Sequence, residues 1–251
     1  MILRCLRWRT PRERLPWEMS NYRQLHMTLD TVNVAKIEVV CKHIQSLNPF
    51  CNVTKLSEGI KPNNVYEFCK DANVIIQQTD SIAVFILLKY WASKLRLPYV
   101  HGSRKHWLQS KELTVAFDDF RNQDSIFKLD DEELSKKYGV SKELLSEYFV
   151  CIEKEINNDE LEKRMQQENA LHRRRTILKM VTEQDIDGIA NFTGGYKDTE
   201  RIKKIIKKYP NNFDKLRVSP EQVMIMGAMV SSVVKDIIIG REINIPTLQI
   251  H

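Results

Sequence analysis

Side chains able to hold phosphate or metal gather at two places in this chain of 251 residues. In MSNYRQLHMTLDTVNVAK, the residues Asn21, Arg23, Gln24 and Lys36 lead into a regular amphipathic helix. Cations and amides at such an entry can converge with free backbone N–H groups on a phosphate. The second place is Asp80, which closes the apolar run ANVIIQQTD and opens SIAVFILLKYWASKLR. A carboxylate there can ligate a metal or nucleotide, or it can cap the helix that follows. Cys151, in EYFVCIEKEI, is the one thiol weighed for acyl transfer. Its apolar and acidic neighbours disfavour a thiolate, so we read it as a core cysteine.

The elements that must position these residues follow from periodicity. Ile37, Val40, Cys41, Ile44 and Leu47 recur at helical spacing and predict a helix from Lys36 to Leu47 with that face buried. Asn48-Pro49 ends it, because proline lacks an amide and disfavours the α region in the residue before it. CNVTKL predicts a short extended run, and Asn64 with Glu67 three residues on predicts a capping box. ANVIIQQTD reads as a buried strand, SIAVFILLKYWASKLR as a helix apolar nearly all round, and LPYVHG as a further strand. This alternation predicts an α/β fold with a mostly parallel sheet, crossover helices and a ligand site beyond the carboxyl ends of the strands.

From about Asp124 the composition turns charged and helix-forming, and we read residues 124–217 as a helical insertion. Near the end, Ser219 as N-cap, Pro220 in the first turn, Gln222 completing a capping box and Gly240 past the end bracket a helix. Gly227, Ala228 and Ser231 are its small residues, and they predict close packing on the sheet.

Several classes of function are excluded by composition. The longest apolar runs, Ile82 to Leu88 and Val223 to Val234, fall short of the roughly 18 residues of a membrane span. Five cysteines without a C-x-x-C pair argue against a disulfide framework and against zinc, and predict a cytoplasmic protein. The basic segment 201–217 carries seven bases against one acid, yet Ile202, Ile205, Ile206 and Tyr209 keep helical spacing. We read its lysines, and the arginines of LHRRRTILK, as solvated helix faces rather than a nucleic-acid site.

Together EMSNYRQL, NVAK, SLNPFCNV, SEGIKPNNVYEFCKDANVIIQQTD, LPYV and VSPEQVMIMGAMVSSVVKDIIIG resemble, in order, the ThiF/MoeB/HesA family, relatives of the ubiquitin-activating enzymes. The resemblance implies a Rossmann-like adenylating domain that uses ATP and magnesium to adenylate the C-terminal glycine of a ubiquitin-like or sulfur-carrier protein. It implies phosphate contacts from Arg23 and Lys36, a nucleotide contact from Asn21, magnesium on Asp80, and a homodimer or heterodimer. It divides the chain into an atypical segment at 1–16, a core at 17–123, the helical insertion, and a helix and tail at 218–251 packing back on the core.

Departures from the family pattern shape the expectation of activity. SNYRQ is one residue shorter than the family motif, Asn33 stands where the family has glycine before the lysine, and the first glycine is Gly59. The family's Gly-rich turn and acidic second strand, which precede that motif, have no counterpart in residues 1–19. The reading is therefore of an N-terminally truncated family member, lacking the first nucleotide-binding β-α unit and impaired as an enzyme. The alternative is a non-catalytic homologue, a pseudoenzyme serving as a protein-binding or dimer-partner module.

Overall fold

The computed structural model describes residues 28–31, 34–79, 81–104, 112–122, 131–182, 220–245 and 247–249. The chain divides into two compact units, one of residues 1–101, 117–128 and 148–158, the other of 102–116, 129–147 and 159–251.

In the first unit α1 runs Lys36–Leu47, with the bounds its periodicity predicts. Asn48 ends it in an extended conformation, and its side-chain oxygen then accepts from the Phe50 amide at 3.1 Å to hold the turn. Val39 and Cys41 are the buried residues of α1, whereas Leu47 is 73% exposed, so the predicted apolar stripe is not covered along its whole length. CNVTKL forms no strand. The short helix α2, Val65–Cys69, starts after Asn64, but the capping box does not form. Asn64 turns its side chain back on the preceding loop, accepting from the Lys61 amide at 2.8 Å and donating to the Gly59 carbonyl at 2.9 Å. Glu67 pairs with Lys70 at 2.6 Å instead.

The strand β1 (Ile75–Gln77), the helix α3 (Ile82–Lys94) and the strand β2 (Pro98–Arg104) form a parallel crossover unit, with Ile75, Ile76 and Gln77 opposite Tyr99, Val100 and His101. The nearly all-apolar sequence of α3 is explained by its burial: Ile86, Leu87 and Leu88 are fully enclosed, each contributing about 1.5–3 kcal/mol relative to exposure. α3 closes with Arg96 in the left-handed region, φ 54°, which lets the Leu97 amide reach the Ala92 carbonyl at 2.8 Å.

In the second unit, the start of β3 (Glu112–Asp119) pairs antiparallel with β4 (Thr247–Gln249), Glu112 opposite Gln249 and Thr114 opposite Thr247. The hydrogen-bonded order of the sheet is β1-β2-β3-β4. The sheet thus starts parallel and carries an antiparallel pair that the alternating rhythm did not predict. The signal was present: Leu113, Val115 and Phe117 alternate at period two.

The charged middle is helical where described, as α4 (Asp131–Tyr138), α5 (Lys142–Glu153) and α6 (Asp159–Thr182). Gly139, φ 63°, ends α4, and the Asn169 amide of α6 donates to the Tyr138 carbonyl at 2.8 Å, satisfying an acceptor that the helix end leaves open. Glu168 accepts from the Ser141 amide at 2.7 Å ahead of α5. The last helix, α7, runs Pro220–Ile239 and ends at Gly240, φ 68°. Ser219 lies outside the described residues, as does the basic segment 201–217. The buried side of α7 is Met229, Val230, Val233, Val234 and Ile237. Gly227, Ala228 and Ser231 are exposed, and a Cβ at Gly227 would meet nothing within 4 Å. The small residues therefore do not mediate close packing; the β-branched side of the helix is the one enclosed. No helix among the described residues is long and apolar enough to cross a membrane.

Candidate functional site

The carboxyl end of β1 is built from a polar residue in an apolar place. Ile75 and Gln77 lie on one side of the strand and both are buried, Gln77 to 4% exposure. The Gln77 side-chain N–H groups donate to the carbonyl and the hydroxyl of Thr79, each at 3.0 Å. Two residues later the hydroxyl of Ser81 accepts from the Val84 amide at 3.4 Å and caps α3. Ser81 is thus the N-cap of α3. The Nε2 of Gln78 is buried and has no hydrogen-bond partner among the described residues. Across from Gln77, His101 packs edge-on against Phe85 of α3, centroids 5.4 Å apart. This end of a parallel pair, next to a helix N-terminus, is where α/β sheets bind ligands.

Lys36 is the first residue of α1 and is half-buried. Asn21, Arg23, Gln24 and Asp80 lie outside the described residues. Cys151 is buried in α5. The pKa shifts belong to surface pairs: the Arg121 guanidinium lowers the Asp119 carboxyl, and the hydrogen bonds that Lys55 and Lys70 donate to the carboxylates of Glu38 and Glu67 raise those two lysines.

No group of three or more histidine, cysteine or acidic side chains that could hold a metal occurs among the described residues. The sequence reading missed Gln77, Thr79 and Ser81. The signal that could have found them is the Gln-Gln pair interrupting an apolar strand, since a buried amide is costly unless its hydrogen bonds are made.

A parallel β-α-β unit with a polar carboxyl end, within a mixed α/β fold, defines the class. The chain belongs to the ThiF family, whose model matches residues 18–213. It is 30% identical over 79 residues to the tRNA threonylcarbamoyladenosine dehydratase of Escherichia coli, covering 31% of this chain and 30% of that protein. It is 23% identical over 95 residues to an uncharacterised protein of Mycobacterium tuberculosis, covering 38% of this chain and 13% of that protein. The match thus spans less than a third of either relative's length. Among solved structures, a crystal structure of selenomethionine PaaA is similar at a TM-score of 0.38 and 18% identity, with 60% of this chain and 49% of that one covered.

Proposed function

We propose that this chain is an adenylyltransferase-type member of its family, with a Rossmann-like core that binds a magnesium nucleotide at the carboxyl end of β1. The observation that carries the reading is the β1-turn-α3 unit, in which the carboxyl end of a parallel strand meets a helix N-terminus capped by Ser81. In the proposed reaction a carboxylate oxygen, from the C-terminal glycine of a ubiquitin-like or sulfur-carrier protein, attacks the α-phosphorus of ATP. The acyl-phosphate bond forms, the bond from that phosphorus to the bridging oxygen breaks, and pyrophosphate leaves. Lys36 and Arg23 are the cations that stabilise charge on the phosphate oxygens, and Asn21 orients the nucleotide. Asp80 would hold magnesium, which when bound neutralises part of the phosphate charge.

SNYRQ is one residue shorter than the family motif and Asn33 stands where the family has glycine before the lysine, so the chain is expected to bind nucleotide weakly. Calorimetry with magnesium-ATP tests this. Weak binding that falls about tenfold or more in Lys36→Met supports the proposal, in keeping with loss of one charge-assisted contact. If the chain binds no nucleotide, the second reading holds, a non-catalytic module that pairs with another chain or with a second copy. Its support is the same pair of departures from the family motif, and sedimentation analysis checks the pairing.

A further inference from the structure

The helix α7 is apolar on its outer side as well as on its enclosed one. Met224, Ile225, Ile238 and Ile239 are between 37% and 56% exposed, where a surface helix carries its polar face. Between these two ends the exposed residues are small, with Ser231 and Ser232 in the middle, and Lys235 is the one charge among the exposed residues of 224–239. The space above this side is open, since a Cβ added at Gly227 meets nothing within 4 Å. A helix apolar nearly all round is one that something covers.

The order of residues on this side is the same from either end. About the midpoint between Ser231 and Ser232, Met224 and Ile225 mirror Ile239 and Ile238, and Ala228 mirrors Lys235. A two-fold axis through that midpoint lays α7 antiparallel on α7 of a second copy, with the large apolar ends on one another and serine beside serine at the crossing. It sets the stem of Lys235 on Ala228 of the second copy and keeps the two lysines roughly 10 Å apart along the helices, at about 1.5 Å of rise per residue. A parallel pair would set lysine against lysine.

We propose that the exposed side of α7 is where two copies of this chain pair, antiparallel about Ser231 and Ser232. The inference does not depend on nucleotide binding, and it names the surface for the self-pairing of the second reading above. A helix pair of this length presents a strip about 30 Å long and about 10 Å wide, well below the roughly 800 Å² per partner of a standard interface. The pairing is therefore reversible, with a dissociation constant on the order of micromolar.

The test is sedimentation of the full chain from about 1 to 100 µM, which should show a monomer-dimer equilibrium. Ala228→Lys, at an exposed position, should weaken that equilibrium by about tenfold or more by facing Lys235 of the second copy, with the thermal midpoint of the dilute chain unchanged. Adding Lys235→Glu should restore pairing, because opposite charges then meet. Ile238→Lys carries the test if Ala228→Lys does not fold. Under mild oxidation, Ser231→Cys should yield a linked dimer beyond that of the unsubstituted chain, whereas Ile225→Cys should not, since its two copies stand roughly 20 Å apart along the helices. A chain that is monomeric at every concentration overturns the proposal and leaves this face to a different partner. So does a dimer indifferent to Ala228→Lys or, where that variant does not fold, to Ile238→Lys, and so does equal cross-linking in Ser231→Cys and Ile225→Cys. A monomer that binds nucleotide defeats this inference alone, and a dimer that binds none defeats only the adenylyltransferase reading.

Discussion

The hydroxyl of Tyr148, fully enclosed in α5, donates a 3.2 Å hydrogen bond to the main-chain carbonyl of Ala83 in the first turn of α3. Residues 65 positions apart in sequence are joined at the start of the helix that follows the candidate site. A helical carbonyl at this position also serves the amide four residues on, so removing the hydroxyl leaves no orphaned acceptor. Tyr148→Phe is therefore expected to lower stability by about 1 kcal/mol, read from urea unfolding, with the unfolding slope unchanged. A loss near zero would show that the bond contributes nothing net.

Gly139 offers a sharper test in the second unit. It sits at φ 63°, and a Cβ there would run into the Cβ and ring of His172 on α6. The Cβ of His172 is anchored to its own helix and has little freedom to retreat. Gly139→Ala should cost about 3 kcal/mol, combining left-handed strain with overpacking. Adding His172→Gly, which removes the Cβ as well as the ring, should recover only the overpacking part once the cost of His172→Gly alone is subtracted. Full recovery would mean that the left-handed backbone carries no strain.

Arg96 is the opposite case. Its side chain is exposed and its backbone lies at φ 54°, where glycine is favoured. Arg96→Gly should raise stability by about 0.5 kcal/mol, the relief of strain exceeding the added freedom of the unfolded chain. A decrease in the thermal midpoint would contradict this account.

Asp119 supplies a pH dependence. Arg121 grips its carboxylate with Nε at 2.8 Å and a terminal nitrogen at 2.7 Å, and this holds the carboxyl below its ordinary range. A folded pKa that is depressed contributes stability in full above the unfolded value of about 4 and loses it as pH falls through the folded one. The pair is substantially exposed, so the contribution is at most about 1 kcal/mol. Asp119→Asn should flatten the acid limb of stability below about pH 4 by that amount, measured by unfolding from pH 7 to pH 2.

The elements nearest the candidate site were legible because their signals are local. Periodicity and the Asn48-Pro49 break bounded α1, continuous apolar character marked α3 as buried, and Gly240 marked the end of α7. The family was legible too, since ordered short motifs survive without any knowledge of contacts. Asn64 shows where local reading fails: its sequence spacing suits a capping box, but a five-residue helix leaves the amide a better use in bracing the preceding loop.

Sequence alone determined the helix and strand periods, the charge distribution and the residue types available for phosphate and metal chemistry, because these depend on neighbours a few positions apart. Tertiary structure decided what those residues do. Whether Leu47 is covered, whether Gly227 meets a neighbour, and that β4 joins β3 all depend on surfaces contributed from distant parts of the chain. The same holds at the site itself. An amide at position 77 is only a polar interruption in the sequence, and it becomes a clamp on Thr79 because the sheet and α3 enclose it and leave its donors no solvent to turn to.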